Sequence, residues 1–268
     1  MTIEPIFGGP RLTAIGSGKG GTGKTLVSLS LAHALANEGE KVLVCDADLG
    51  LSNTTVQLGV ESGGDLAGVL SGKRTLKDGV AAIDGGIGRT GGFDLLAAPA
   101  GSGALANIQP VTLERLITIL RNAKSYDRVL LDLAAGVDDI VLGFAARADE
   151  TVLVMSPDPA SLTDAYAFAK LLQRRGADLP AFVVNKALSD QEARRCADAL
   201  INSSRAFLDA TPEYLGGIPR DPKVLDAVRR QGNLLALYPQ CHAAEALGLV
   251  ARKLHRRLPI ATTGVKVR

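Results

Sequence analysis

One glycine-rich stretch near the amino terminus decides the fold class of this chain. It reads Ser17-Gly18-Lys19-Gly20-Gly21-Thr22-Gly23-Lys24-Thr25. The stretch fits the phosphate-loop pattern G-x-x-x-x-G-K-[ST], whose fixed positions are here Gly18, Gly23, Lys24 and Thr25. Glycines let successive backbone N–H groups turn toward phosphate oxygens, because no Cβ atoms stand in the way. The stretch therefore predicts a binding loop for a nucleoside triphosphate.

The residues on either side of the loop agree with this interpretation. Leu12–Gly16 has the composition of a buried strand, and Leu26–Ala36 has apolar residues at helical spacing and no proline. A helix placed there points the positive end of its dipole at a bound anion. We expect Lys24 to reach the β and γ phosphates and Thr25 to ligate Mg²⁺. An ordinary glycine-rich turn would need neither a buried strand before it nor a helix after it.

The composition excludes several classes of protein. Of the 268 residues 46% are hydrophobic and 22% charged, which allows a sizeable core and argues against a disordered chain. The net charge of +2 argues against a protein that coats nucleic acid with its whole surface. Three separated cysteines and no signal peptide indicate a reducing, cytoplasmic compartment. No apolar run approaches the roughly 18 residues that a membrane-spanning helix requires.

Apolar runs alternate with helical patterns along the rest of the chain. Further strands are predicted at Lys41–Asp46, Phe93–Ala97, Arg128–Asp132, Thr151–Met155, Ala181–Asn185 and Tyr214–Ile218. Helices are predicted at Asp65–Leu70, Leu76–Ala82, Val111–Ala123, Pro159–Arg174, Asp190–Leu208, Val224–Gln231 and Ala243–Leu258. The pattern predicts an α/β fold with a single doubly wound, mainly parallel sheet and helices on both faces. It covers residues 11–258, between a loose arm at 1–10 and a short basic tail at 259–268.

Acidic residues follow two of the predicted strands, where ligands bind in a sheet of this kind. A single acid at a strand end is often only a turn or cap residue, but Asp46 and Asp48 stand two apart and enter a glycine-containing loop. Phosphoryl transfer needs a group that orients the attacking water. We expect Asp48 to orient it and Asp46 to orient the water shell of Mg²⁺. Asp132 would accept hydrogen bonds from metal-bound water or from Thr25.

Three further groups near strand ends could contact a nucleotide. The small residues up to Gly136 leave a backbone N–H that could sense a γ-phosphate. The side-chain amide of Asn185 suits the edge of an adenine, although position alone is equally consistent with an ordinary turn asparagine. Pro219, with Arg220 and Asp221 after it, could border the base.

The histidines and the basic carboxyl terminus have simpler interpretations. His33, His242 and His255 show no metal spacing, and we expect them on helix surfaces. Basic residues are concentrated at Arg252, Lys253, Arg256, Arg257, Lys266 and Arg268, beside an apolar stripe of Leu247, Val250, Leu254 and Leu258. We expect this helix to pack its stripe on the body of the protein. Contact with an anionic membrane is the weaker alternative.

A second lysine distinguishes the glycine-rich loop from an ordinary phosphate loop. Because Lys24 already serves the phosphates within one subunit, Lys19 is either a solvated loop charge or points at phosphates in another subunit. The run Lys19–Thr25, KGGTGKT, resembles the deviant Walker A motif of the MinD/ParA class of ATPases. The resemblance implies that Lys19 crosses a dimer interface to the nucleotide of the partner.

Other stretches carry the same resemblance over residues 11–258. Asp46–Asn53 with Gln57–Gly59 resembles the switch I region of that class, and Asp132–Val137 resembles its switch II. Similarity to the FlhG/FleN branch, regulators of flagellar number and placement, rests on Pro157–Pro159, Thr163–Ala167, Val183–Lys186 and Gly217–Asp221. Many members of the branch carry a DQAxxLR segment near the amino terminus and a membrane-targeting helix at the carboxyl terminus. Residues 1–10 contain no such segment, and the basic carboxyl-terminal helix is expected to pack on the body of the protein.

The resemblance implies a slow ATPase that forms a homodimer with ATP and Mg²⁺ and returns to a monomer with ADP. It places Lys19, Lys24 and Asp48 in catalysis, Asn53 near the γ-phosphate and Asn185 at the adenine. The loop residues Gly18, Gly20, Gly21, Thr22, Gly23 and Thr25, with Gly136 and Pro219, complete the expected nucleotide site. The implied role is control of flagella with an assembly or regulatory partner, in the cytoplasm or peripherally at the inner membrane or cell pole.

Two other functions remain as alternatives. A ParA- or MinD-type protein would position DNA or the division septum, and the DNA role would need a basic surface that only the carboxyl-terminal cluster offers. An iron–sulfur carrier on the same fold would need paired cysteines, but Cys45, Cys196 and Cys241 form no C-x-x-C. Because the net charge is only +2 and no other basic cluster is present in the sequence, binding to nucleic acid is not expected.

Overall fold

The apolar runs of the sequence become the strands of a single sheet. The computed structural model describes residues 9–48, 53–98 and 110–257. Its strands are β1 (Arg11–Ser17), β2 (Val42–Ala47), β3 (Ala81–Ile83), β4 (Phe93–Leu96), β5 (Arg128–Ala135), β6 (Glu150–Met155), β7 (Ala181–Ala187) and β8 (Tyr214–Pro219). Their spatial order is β3-β4-β2-β5-β1-β6-β7-β8. Every neighbouring pair is parallel except β3 and β4, so the predicted fold class is confirmed.

Helices cover both faces of the sheet. They are α1 (Lys24–Asn37), α2 (Thr54–Leu58), α3 (Leu66–Ser71), α4 (Leu76–Gly79), α5 (Pro110–Arg121), α6 (Asp139–Arg147), α7 (Pro159–Arg174), α8 (Asp190–Leu208), α9 (Pro222–Arg229), α10 (Leu234–Leu237) and α11 (His242–Arg256). One core cluster joins the sheet to α1, α9, α10 and α11, and the other joins it to α3, α5, α6, α7 and α8. Residues buried on both faces explain why the strands read as continuous apolar runs.

The predicted helix over Leu76–Ala82 is wrong in its second half. Helix α4 ends at Gly79, Val80 is extended at φ −92° and ψ 153°, and Ala81–Ile83 pairs with β4 as an antiparallel edge strand. The short helices α2 and α10 were not predicted. Elements of three to five residues contain too little of a period to be recognised from hydrophobic spacing.

The expected surface position of His33 is also wrong. His33 lies on α1, but only 8% of it is exposed, because its ring packs against the connection between β3 and β4, where a Cβ on Gly91 would lie 2.3 Å from His33 Cε1. Its Nδ1 atom lies 3.6 Å from Asp84 Oδ2. The other two histidines do lie at the surface: His242 is largely exposed, and His255 contacts Glu40 at 2.7 Å.

Helix α11 packs on the body of the protein, as the spacing predicts. Leu247, Val250 and Leu254 are buried in the core, whereas Leu258 and the tail lie outside the described residues. Two of the basic residues pair within the chain, Arg257 with Glu150 at 2.7 Å and Arg252 with Glu38 at 3.8 Å. Across the described part of the chain, no helix is long and apolar enough to cross a membrane.

Candidate nucleotide-binding site

The glycine-rich loop leaves β1 in the middle of the sheet, and α1 begins directly after it at Lys24. Two glycines are required by close contacts. A Cβ atom on Gly18 would lie 2.4 Å from the carbonyl oxygen of Asp164, and one on Gly23, at φ 90°, would lie 2.5 Å from Asn185 Nδ2. By contrast, no atom lies within 4 Å of a Cβ on Gly20 or Gly21. The loop is thus packed at its ends and open at its tip, where a phosphate chain fits.

The end of β7 holds the loop from one side. Asn185 is 3% exposed, and its Nδ2 donates to the carbonyl oxygen of Thr22 at 2.8 Å. Lys186 adopts a left-handed conformation, φ 63°, and its Nζ donates to the carbonyl oxygen of Gly21 at 2.6 Å. Because an amide nitrogen carries two N–H groups, one bond to the loop leaves Asn185 a second donor for a base.

A buried group of three residues lies beneath the loop. Lys24 Nζ lies 3.1 Å from Asp132 Oδ1, and Ser28 Oγ donates to the same oxygen at 2.8 Å. Lys24 is 7% exposed and Asp132 1%. The positive charge of Lys24, expected at the phosphates, is therefore compensated by the carboxylate of Asp132, expected near the metal. The hydroxyl that donates to Asp132 is that of Ser28, and donation from metal-bound water or from Thr25 stays a prediction.

The two acids after β2 lie next to this group. Asp46 is directly opposite Asp132 in the register of β2 and β5. Its Oδ1 accepts from the backbone N–H of Asp48 at 3.0 Å, and its Oδ2 accepts from Thr54 Oγ1 at 2.7 Å. Carboxylate and hydroxyl oxygens are the ligands that Mg²⁺ prefers, usually together with phosphate and water. Asp46, Asp132 and Thr25 at the start of α1 therefore fit a magnesium ion held with a nucleotide.

Lys19 does not point into its own loop. Its Nζ lies 2.9 Å from Asp158 Oδ1, and 36% and 41% of the two side chains are exposed. Asp158 is also the N-cap of α7, where it accepts from the backbone N–H of Ser161 at 2.9 Å. The hydrogen bond from Lys19, followed by those from Ser156 and Ser161, lowers the pKa of Asp158 from 3.8 to about 2. The carboxylate of Asp158 is therefore ionised at every physiological pH.

The other predicted site residues lie at the same edge with fewer contacts. The backbone N–H of Gly136 donates to the carbonyl oxygen of Ser17 at 2.9 Å, and a Cβ there would meet open space. Asn53 is exposed just before α2, without a side-chain capping bond. Pro219 ends β8 opposite Ala187. Part of switch I, residues 49–52, lies outside the described residues.

Three residues of the site were not identified from the sequence. Ser28 stands four residues after Lys24 on one face of a helix, and this spacing is a usable signal. Asp158 precedes proline and stands three residues before Ser161, which is typical of an N-cap, but nothing local indicates that Lys19 contacts it. Nothing in the sequence indicated a role for Lys186, because lysine rarely adopts the left-handed backbone conformation that places it at the loop.

Comparison with known proteins agrees with this geometry. The family model described as the CobQ/CobB/MinD/ParA nucleotide binding domain matches residues 13–234. The antiactivator FleN of Pseudomonas aeruginosa is 36% identical over 91% of this chain and 86% of its own length. The flagellum site-determining protein YlxH of Helicobacter pylori is 29% identical over 94% of this chain and 84% of its own.

A solved structure gives the same result. The septum site-determining protein MinD of Pyrococcus horikoshii, complexed with Mg-ADP, has a TM-score of 0.75 at 25% identity, covering 92% of this chain and 96% of its own. Nucleotide and Mg²⁺ are thus ligands within the family. The chain belongs to the CobQ/CobB/MinD/ParA nucleotide-binding family and is an ATPase of its MinD/ParA class.

Proposed function

We propose that this protein is a positioning ATPase that switches from monomer to homodimer with Mg-ATP and controls the number or placement of flagella. The observation that carries the proposal is the position of Lys19. Its charge is outside its own loop, partly exposed and paired with Asp158, whereas Lys24 is buried beneath the loop. A lysine that serves only its own nucleotide would not need a second partner at the surface.

Binding of Mg-ATP would exchange partners within the buried group. Lys24 would transfer its hydrogen bond from Asp132 to the β and γ phosphates, and Asp132 and Asp46 would accept from water on the metal. Ser28 keeps Asp132 in place during this exchange, because its hydroxyl donates to the same carboxylate oxygen. The backbone N–H groups around Gly20 and Gly21 would face the phosphates in the open part of the loop.

Hydrolysis in the dimer would depend on two residues. Asp48 would orient the attacking water, because its backbone is fixed to Asp46 beside the proposed metal site. Lys19 would leave Asp158 and reach the nucleotide of the partner, where it stabilises the charge of the transition state. Gly136, whose backbone N–H donates to the carbonyl oxygen of Ser17, would sense the γ-phosphate and couple its presence to the conformation of the loop after β5.

The flagellar role is supported by the relatives. FleN and YlxH are similar over nine-tenths of this chain, and YlxH is named for determining the site of flagella. We infer a flagellar assembly or regulatory protein as the partner of the ATP-bound dimer. A DNA-positioning role has less support, because Arg252 and Arg257 of the basic cluster pair with Glu38 and Glu150.

Light scattering of the purified chain tests the switch. The wild type should be a monomer with ADP and a dimer with ATP, and Asp48→Ala should remain a dimer with ATP because hydrolysis falls at least about a hundredfold. Lys19→Ala should bind ATP but stay monomeric. Lys124→Ala, an exposed lysine at the other edge of the sheet, is the matched control. A wild type and an Asp48→Ala variant that both stay monomeric with ATP would refute the switch.

Deletion of the coding region tests the cellular role. Altered number or position of flagella, counted by electron microscopy, is the expected result. Unaltered flagella together with mini-cells or lost DNA would instead assign the protein to division-site or DNA positioning.

A further inference from the structure

An exposed apolar surface lies beside the nucleotide site and takes no part in it. Four of the nine large apolar side chains exposed in the described residues belong to it, and we name it the α2–α9 patch: Val56, Leu225, Val228 and Leu237. Leu225 is 55% exposed and Val56 54%. Leu225 and Val228 stand three apart on α9, so they share one side of that helix.

The patch is one surface because its elements meet at Gln231. Gln231 Nε2 donates to the carbonyl oxygen of Val56 at 3.2 Å, and a Cβ on Gly59 would lie 2.8 Å from Gln231 Cβ. On the other side, a Cβ on Gly232 would lie 2.8 Å from Leu237 Cδ1. The end of α2, the end of α9 and α10 are thus in mutual contact.

A depression of about 540 Å³ opens in the patch, between α2 and the residues around Gln231. Its lining includes Val56, Gly59, Gly63 and Thr55. Thr55 is 5% exposed, and its Oγ1 atom has no hydrogen-bond partner among the described residues. A buried hydroxyl without a partner costs stability, about 1–3 kcal/mol in general.

The charges around the patch are mainly positive. Arg220, Lys223 and Arg229 are exposed and form no ion pair with a carboxylate of the described residues. Of the acids on this part of the chain, Asp221 accepts from the backbone N–H of Lys223, and Asp226 pairs with Arg230 at 3.1 Å. Glu61 is exposed and lines the depression on the α2 side. On the α9 side, a ligand therefore meets apolar side chains bordered by Arg220, Arg229 and Lys223, whose Nζ lies 4.7 Å from the centre of the Tyr238 ring.

We propose that the α2–α9 patch binds an acidic amphipathic helix of a partner protein. Its apolar side chains would lie on Leu225, Val228 and Val56, one of its side chains would enter the depression beside Thr55, and its carboxylates would face Lys223 and Arg229. A lipid surface fits less well, because the depression and the buried hydroxyl require a side chain of defined shape. The proposal needs no dimer and no flagellar role.

The patch also connects the proposed partner with the nucleotide site. Helix α2 is attached to Asp46 through Thr54, and α9 follows Asp221 directly after β8. A helix bound across α2 and α9 would thus touch part of the region that resembles switch I and the helix that follows Pro219, which is expected to border the base.

Photo-crosslinking in the cells that naturally make the protein tests the proposal. The full chain carries p-benzoylphenylalanine in place of Leu225, and adducts are mapped by mass spectrometry. The expected adduct is with another protein, at a helix that has apolar residues at spacings of three and four and a net negative charge. Arg229→Glu in the same chain should lower the yield about tenfold, because it reverses a charge at the edge of the patch.

Three controls make the result decisive. Arg256→Glu, an exposed arginine on α11, should leave the adduct unchanged, and both variants should keep the thermal midpoint and ATP affinity of the parent. The same crosslinker in place of Leu249, 57% exposed on α11, should give no such adduct. An adduct with phospholipid, with a second copy of this chain or with a segment that is not acidic would overturn the proposal. So would equal yields at the two positions or in the two arginine variants.

Discussion

Buried charges lie at both ends of the strands: at the amino ends, here called the amino edge of the sheet, and at the carboxyl ends, the carboxyl edge. They differ in whether their partners leave room for a ligand. At the amino edge, Arg128 is 1% exposed and donates five hydrogen bonds: to both oxygens of Glu40, to Glu150, to Thr13 Oγ1 and to the carbonyl oxygen of Leu254. A guanidinium has five N–H groups, so none is left for a ligand. At the carboxyl edge, Lys24 and Asp132 lie under a loop whose tip faces open space.

The comparison separates a permanent ion pair from an exchangeable one. The Arg128 network joins β1, β5 and β6 to the last turn of α11, and its partners Glu40 and Glu150 are themselves bonded to His255 and Arg257. Desolvation raises the pKa of Glu40, but attraction and hydrogen bonding from Arg128 outweigh it, so that this pKa is lowered overall. In the proposed function, the pair at the carboxyl ends of the strands would have a replacement for each member, namely a phosphate for Lys24 and a metal-bound water for Asp132.

Removal of Arg128 should have the largest effect on stability. Arg128→Ala removes the buried cation that Glu40 and Glu150 share and leaves them only their contacts with His255 and Arg257, and breaking a buried pair in this way costs about 3–5 kcal/mol. Urea unfolding followed by circular dichroism measures the loss. Arg256→Ala, on the exposed side of α11, should change the free energy of unfolding by less than about 0.5 kcal/mol. Equal losses in the two variants would remove the distinction between the edges.

Removal of Ser28 should have an intermediate effect. Ser28→Ala deletes a bond to a buried carboxylate, which is worth about 1.5–3 kcal/mol, and lets Asp132 move with respect to Lys24. We expect lower stability and several-fold weaker binding of Mg-ATP, measured by urea unfolding and by titration with a fluorescent ATP analogue. Ser30→Ala, another buried serine of α1, should leave binding unchanged. Unchanged binding in Ser28→Ala would mean that Asp132 needs no such support.

Local sequence predicted seven of the eight strands, all but β3, because long apolar runs and a phosphate-loop pattern are strong local signals. Asp132 and Asp46 followed from their places at strand ends. Arg128 did not, since an arginine at the start of a strand gives no indication that it will be fully buried. Its burial depends on Glu40, Glu150 and α11, which are distant in sequence.

The partner of Lys19 was unpredictable for the same reason. Lys19 and Asp158 are 139 residues apart, and they meet because β1 and β6 are neighbours in the sheet. Sequence resemblance gave Lys19 a role between subunits, but only the structure shows what the lysine contacts within one subunit.

The Lys19–Asp158 pair should contribute least to stability and most to the switch. Asp158→Asn keeps a side chain that can cap α7 but removes the negative charge. Since both partners are more than a third exposed, the free energy of unfolding at neutral pH should fall by less than about 1 kcal/mol. Lys19 is then no longer held by its own subunit, so the variant should form the ATP-bound dimer at lower protein concentration.

The pH dependence checks that this small loss comes from the ion pair. A lowered pKa in the folded state stabilises above the unfolded value, near 3.8, and the contribution is lost as pH falls through about 2. The stability difference between wild type and Asp158→Asn should therefore be constant above pH 5 and disappear toward pH 2. Asp139→Asn, which removes a largely exposed acid paired with Arg175, should leave dimerisation unchanged. If Asp158→Asn instead dimerised less readily than wild type, Asp158 would support the dimer rather than restrain Lys19.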